Sequence, residues 1–489
     1  MMEIEAENSI KKDIVNYIIV LLLAVGIGYA VSIYGIALGT TLLALPFAIA
    51  LIIMIFRNPK IGLLVTLNYS FFSNGLQRYT SPDIPFGLGV DIILLISLIA
   101  ALFKSNKGSI NSWVFYMSLI WFSYTLIELV NPEATSKEAW FYSGRGVSLY
   151  QIMVIPITLM WANKKKDLDG FIKIWITWSL IAALYAFKMN YLGLTEGEQK
   201  WLDDGGKITH FIQGRLRIFS FFSDAGQFGA AMAEACLFCL LMAVGPYEKK
   251  VKIRYAIIAA ITFWGYALSG SRGPLFVLAS GGFLYLFLIR NFKVLLIGAT
   301  IGFLAFAFLK FTTIGNTNYQ IYRMRTALDP NDASLQVRLN NQKLLRTYLK
   351  SRPLGGGIGS GAGFGERFYP GRFLSGVALD SWYVKIWVET GIIGLVMHII
   401  HLIIVLIVGI VNCFKIKNPD IRQKMMGIVC GYFGILCASY GNQIFGQFPT
   451  GPIMYMSMVY MFICLKWDKE ASEMKVNELA KINEPILLK

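Results

Sequence analysis

Runs of roughly 18 or more apolar residues recur along nearly the whole chain, separated by short stretches that hold most of the charge. Such runs are made for a hydrocarbon solvent. There every backbone polar group must be satisfied internally, which leaves helices and closed barrels as the only spanning structures. Barrel strands alternate apolar and polar residues, and these runs do not. The reading is an all-α polytopic membrane protein. Of the 489 residues 56% are hydrophobic and only 15% charged, against about 25% in soluble domains.

The charged stretches set the topology. About 14 transmembrane helices fit, with N- and C-termini cytoplasmic. The internal loops are then RNPK (57–60), KSNK (104–107), NKKK (163–166), EKKVKIR (248–254), RNFK (290–293) and KIKNPDIRQK (415–424), all short and basic. The expected organisation is a cytoplasmic N-terminus at 1–13 and helices 1–11 over 14–311, with an external loop at about 194–225. A large external loop follows at 312–383, then helices 12–14 over 384–466 and a cytoplasmic tail at 467–489. The formal net charge of +16 is largely this topological bias, so no nucleic-acid partner is expected. Cys236 and Cys239 have zinc-ligand spacing but no second pair, and no metal site is assigned.

One region departs from the pattern. Between Ile321 and Leu379 nine basic residues, Arg323, Arg325 and Arg338 among them, face only Asp329, Asp332 and Glu366. Arg272 in SGSRGP and Arg215 and Arg217 in RLRIFSFFSDAGQFGA add external arginines beside helix ends. They fit anionic lipid headgroups, or an anionic ligand held by convergent guanidiniums, which bind phosphate oxygens in bidentate fashion. Residues 329–353 read as a surface helix started by Pro330 and Asp332 and stopped by Pro353. PLGGGIGSGAGFG (353–365) lacks the GK[ST] ending of a P-loop and reads as a flexible external loop able to act as a lid.

The stretch ALDSWYVKIWVETGIIGLVMHIIH (378–401) passes from polar loop to membrane helix and carries Asp380, Lys385 and Glu389 across the join. Asp380 at the outer mouth is the candidate base. Lys385 and Glu389 pair at i, i+4 or line a polar cavity open to the outer face. Tyr383 stacks on sugar rings or joins an interfacial belt, and Asp224 bonds hydroxyls or caps a helix.

From about Arg215 to His401 the chain resembles the O-antigen ligase and polymerase superfamily of bacterial membrane glycosyltransferases. The matching pieces are an Arg ahead of a small-polar helix start (Arg217 to Gly229), SRG at a short outer turn (271–273), and a large external loop. That loop carries an Arg-bearing helix ending in P-x-G-x-G (Arg338 to Gly357), followed by Asp380, Ser381, Tyr383, Glu389, Gly391 and Gly394 at the family's spacing. The resemblance implies transfer of glycan from an undecaprenyl-pyrophosphate donor to another glycan or to a lipid A core, among membrane lipids. It implies an active site on the periplasmic face of the plasma membrane, and neither nucleotide sugar nor cofactor. It assigns the donor pyrophosphate to Arg217, Arg272, Arg338 and Arg215. Supporting or acceptor-side roles fall to Glu389, Tyr383, Lys385, Asp224, Arg323 and Arg325. Ligases carry a His where this chain has Asp380, which favours a polymerase. The alternative reading is a flippase or exporter of lipid-linked glycans, which would show inverted repeats and charge at mid-membrane.

Overall fold

The computed structural model describes residues 17–33 apart from 19 and 23, then 36–80, 86–104, 110–212, 214–289 and 291–483. The expected cytoplasmic N-terminus (1–13) lies outside the described residues, as do 105–107 of KSNK, Arg290, and 484–489 of the tail. The protein is an all-α polytopic membrane protein. A two-residue hairpin, Phe211–Ile212 paired with Arg215–Leu216, is the sole sheet among the described residues. Seven described helices are long and apolar enough to cross a membrane, and shorter apolar helices such as Leu42–Arg57 and Leu275–Leu288 accompany them.

The helix Ala225–Val244 is the hub. Of its most apolar stretch 83% is buried, while the helix Phe292–Phe311, which is more apolar still, buries none of its own. The sequence AGQFGAAMAEAC explains the difference. Small residues let neighbouring backbones approach closely where no hydrophobic drive separates helix from lipid. Lys249–Leu268, Leu275–Leu288, Lys165–Phe187 and Pro419–Ala438 pack around it. Phe292–Phe311 instead presents Phe303 and Phe306 outward, as a lipid-facing helix does.

The loops sort to two ends. At one end the basic turns interlock. Lys60 pairs with Asp167, Lys165 lies 2.9 Å from Asp420, Lys424 lies 2.8 Å from Asp169, and the Trp467 indole donates to Asn163 O at 2.7 Å. The segments read as external gather at the opposite end, where Arg78 meets Ser220, Arg352 meets Glu133, Arg217 meets Ser271 and Arg338 meets Asp380. The surface helix runs Ala333–Leu349, and Leu345 and Leu349 pack on Leu374, Val377, Leu379 and Val388.

Candidate active site at the loop-rich end

SGSRGP forms the floor. Gly270 has φ +56°, which only glycine adopts without strain, and its missing Cβ leaves room for Arg217 Cγ and the Tyr319 ring. Arg217 is fixed by its neighbours: Nη2 donates to Ser271 Oγ at 2.6 Å and Nη1 to Thr209 O at 3.1 Å. Ser271 in turn donates to Ala225 O at 2.9 Å. Arg323, 8% exposed, donates from Nε to Gly270 O at 3.0 Å. Arg272 pairs with Asp332, whose other oxygen caps the surface helix by accepting from Leu335 N at 3.1 Å. One carboxylate thus ties the SRG turn to the Arg-bearing helix. Burial alone would raise the Asp332 carboxyl, yet the Arg272 hydrogen bond and the helix-start amides hold it below the usual carboxylate range.

Three guanidiniums therefore share one small region. Burial, and then Arg323, pull Arg217 below the ordinary arginine value, Arg272 adds to the pull, and Asp224 and Tyr319 oppose it. Burial and Arg272 do the same to Arg323. The cations repel one another, so an anion placed among them gains from all three. The Tyr319 hydroxyl lies buried beside them with no hydrogen-bond partner.

The second half of the site begins at Gly441. A Cβ there would stand 3.9 Å from both Arg338 Nη1 and the Gly273 Cα, so the Arg338 guanidinium borders the SRG turn. Arg338 Nε donates to Asp380 Oδ2 at 3.1 Å, and the Asp380 side chain is 51% exposed. Ser381, the next residue, caps the helix Trp382–Lys415, so Asp380 sits just outside its first turn. Gln443 donates to Leu379 O and steadies the same corner.

A family model described as O-Antigen ligase matches residues 257–399, a stretch that includes Arg272, Arg323, Arg338, Asp380 and Glu389. A curated protein of Salmonella muenchen named O-antigen polymerase is 29% identical over 198 residues, covering 40% of this chain and 47% of that protein. Over these stretches the chain is similar to the O-antigen ligase and polymerase superfamily. It spans about half the length of that curated relative. Arg217 and Asp224 lie outside the region matched by the family model, and Arg217 reaches that region through Ser271.

Not every residue assigned from the superfamily's pattern reaches this place. Arg215 is exposed, 5.7 Å from the Tyr319 ring, at the rim. Arg325 turns away and donates to Thr312 O and, at 2.7 Å, to Ile314 O, closing the end of Phe292–Phe311. The Tyr383 hydroxyl donates to Leu436 O at 2.8 Å, so its ring anchors two helices and is not a sugar platform. Asp224 Oδ1 accepts from Gly226 N and Gln227 N at 2.7 and 2.9 Å as the cap of the hub helix.

Glu389 and the glycine-rich loop depart furthest from expectation. Glu389 is fully buried, with both carboxylate oxygens 3.1 Å from Ser143 Oγ, the Gly359 amide as a donor, and Lys385 Nζ at 4.0 Å. It lines no open cavity. Residues 355–361 are buried, so this part of the loop is not a flexible lid. Gly356 N donates to Val388 O at 2.8 Å. Gly391 breaks the helix at φ 66°, ψ −170°, and a Cβ there would fall directly on Pro353 O. P-x-G-x-G and E-x-G are two halves of one clasp that mounts the Arg-bearing helix on the bundle. The spacing of Glu389 from Lys385 hinted at their pairing. Nothing near them in sequence pointed to Ser143, more than two hundred residues earlier.

Proposed function

We propose that the chain is a membrane glycosyltransferase that polymerises glycan repeat units from an undecaprenyl-pyrophosphate donor at the outer, periplasmic face of the bacterial plasma membrane. The observation that supports it is the convergence of Arg217, Arg272 and Arg323 beside the Arg338–Asp380 pair. The acceptor hydroxyl oxygen attacks the anomeric carbon while the bond from that carbon to the pyrophosphate oxygen breaks. The electron pair leaves with the pyrophosphate, and preorganised guanidiniums stabilise the charge as it develops. The hydroxyl proton goes to Asp380. Arg338 serves both partners. A diphosphate competes with Asp380 for its guanidinium, and so frees the carboxylate when a base is needed.

Polymerase is favoured over ligase because Asp380 stands where ligases carry His. The relative's printed name points the same way. Purified protein supplied with a lipid-linked repeat unit, with and without a lipid A core acceptor, tests this. A ladder of lengths without added acceptor supports polymerase, and a single acceptor-dependent step supports ligase. Arg217→Ala and Arg272→Ala are each expected to abolish transfer while the protein stays in the membrane. Full activity in both would end the enzyme reading.

A further inference from the structure

A large groove lies outside the arginine cluster. It is a half-open space of about 1140 Å³ at the same end of the molecule, between the turn carrying Gln77 to Thr80 and the segment carrying Thr195 to Asp204. Small-molecule sites usually occupy about 300–1,000 Å³, so this space holds something larger than a single sugar ring. Its charges cancel. Arg78 and Lys200 stand against Glu196 and Asp204, with amides and hydroxyls between them and the aromatic rings of Tyr79 and Trp201 on the wall. Arg78 is not offered as a phosphate ligand. Its guanidinium is buried over the Phe219 ring at 4.3 Å and donates to Ser220 O at 2.6 Å and to Phe222 O. A diphosphate gains little in a neutral groove. A polyhydroxylated ring gains hydrogen bonds at its edge and apolar contact on its face.

The cavity connects to the arginine cluster at one residue. Ser223 lines it, and the Ser223 hydroxyl lies 3.0 Å from both Asp224 Oδ2 and Gln447 Oε1. On the far side of Asp224, the Asn442 side chain borders Gly226 and the Gly273 turn. The neutral groove and the cationic floor thus meet across Asp224.

We propose that this groove is the saccharide subsite, holding several sugar residues of a lipid-linked glycan while the arginine cluster holds pyrophosphate. This rests on the glycosyltransferase reading of that cluster. It is tested with full-length protein and two probes: inorganic pyrophosphate, and oligosaccharides of one to three repeat units released from the lipid by mild acid. Calorimetry is expected to show oligosaccharide binding that strengthens with length. Gln77→Trp, which fills the groove from an exposed position, and Lys200→Ala should each weaken it at least tenfold and leave pyrophosphate affinity unchanged. Lys200→Ala removes one exposed side chain and guards against misfolding of the bulkier variant.

Unchanged oligosaccharide affinity in both folded variants overturns the proposal, and so does absence of binding by the wild type. In turnover, a raised KM for acceptor alone assigns the groove to the growing chain, and a raised KM for donor alone assigns it to the donor glycan. If the protein transfers nothing, yet oligosaccharide binding is lost in Gln77→Trp, the groove stands and the cluster's assignment falls.

Discussion

Asp380 and Glu389 are nine residues apart on one stretch of chain, and their surroundings are opposite. The Asp380 side chain is 51% exposed and meets one guanidinium, whereas that of Glu389 is 0% exposed and held from three sides. The border between them is the Ser381 cap. Ahead of it a carboxylate can meet a solute. Beyond it, two turns into the helix, a carboxylate sits under a loop that folds back over it. Two acids nine residues apart need not share a task, and here one suits chemistry and the other holds up the platform.

The largest effect that sharpens this contrast is expected at Asp380. Asp380→Asn keeps the shape and loses the proton acceptor. Transfer should fall by about 10²–10⁴-fold, the range for a general base, with thermal stability in detergent within about 0.5 kcal/mol of wild type. A variant that transferred at the wild-type rate would leave both acids on the structural side.

Gly391→Ala should do the reverse. Its φ 66°, ψ −170° belongs to a region that essentially only glycine occupies, a strain of order 1–3 kcal/mol in itself. The added methyl also lands on Pro353 O. The combined loss should exceed about 3 kcal/mol and appear as a lower melting temperature in detergent. Gly363→Ala is the control in the same glycine-rich loop. Nothing lies within 4 Å of its missing Cβ, and stability should not change. Equal melting points for the two variants would mean that the clasp does not hold the loop.

The all-α membrane character was legible because a bilayer imposes its own length and polarity on the chain. The arginine excess of residues 321–379 was legible as well, since so many like charges with few acids beside them must be compensated by something. The sorting of those arginines was hidden. Arg323 and Arg325 are two residues apart on one short helix, yet one enters the cluster and the other caps Phe292–Phe311. The outcome depends on how the helix Tyr319–Thr326 sits over Gly270, which no local pattern encodes. The glycine run misled through composition. Glycine permits flexibility, but at Gly355 it permits close packing, with Val388 O only 2.6 Å from where a Cβ would stand. Tyr319 gave no signal beyond being an aromatic residue near arginines.

Acid should act on the chemical side of the comparison through His210, whose loop carries Arg217. His210 Nε2 accepts from Ala225 N at 3.2 Å, while Nδ1 lies 3.0 Å from Gly206 O, the arrangement of a neutral ring. Burial lowers its pKa to about 4 from the usual 6.5. The unfolded chain therefore takes up the proton first as pH falls. The stabilisation is complete above about 6.5 and is lost progressively toward pH 4, amounting to roughly 3 kcal/mol across the window. Transfer and melting temperature should decline together below about pH 6, and His210→Gln should flatten the decline. A pH profile unchanged by that substitution would remove His210 as its cause.

The smallest effect falls on Glu389 itself. Glu389→Gln keeps the length and one acceptor oxygen for the Ser143 hydroxyl or the Gly359 amide. The new NH2 group replaces a charged acceptor and faces Lys385 Nζ, which lies 4.0 Å from Oε1 in the wild type. A buried donor turned toward an ammonium costs about 1–3 kcal/mol, less than Gly391→Ala because the backbone path of the clasp is untouched. The rate per folded molecule should stay within a fewfold of wild type, since Ser143, Gly359 and Lys385 all belong to the scaffold. A hundredfold loss of rate at unchanged melting temperature would break the comparison. It would mean that the charge of Glu389 reaches the reacting atoms through Lys385, and the two acids would then belong to a single charge network.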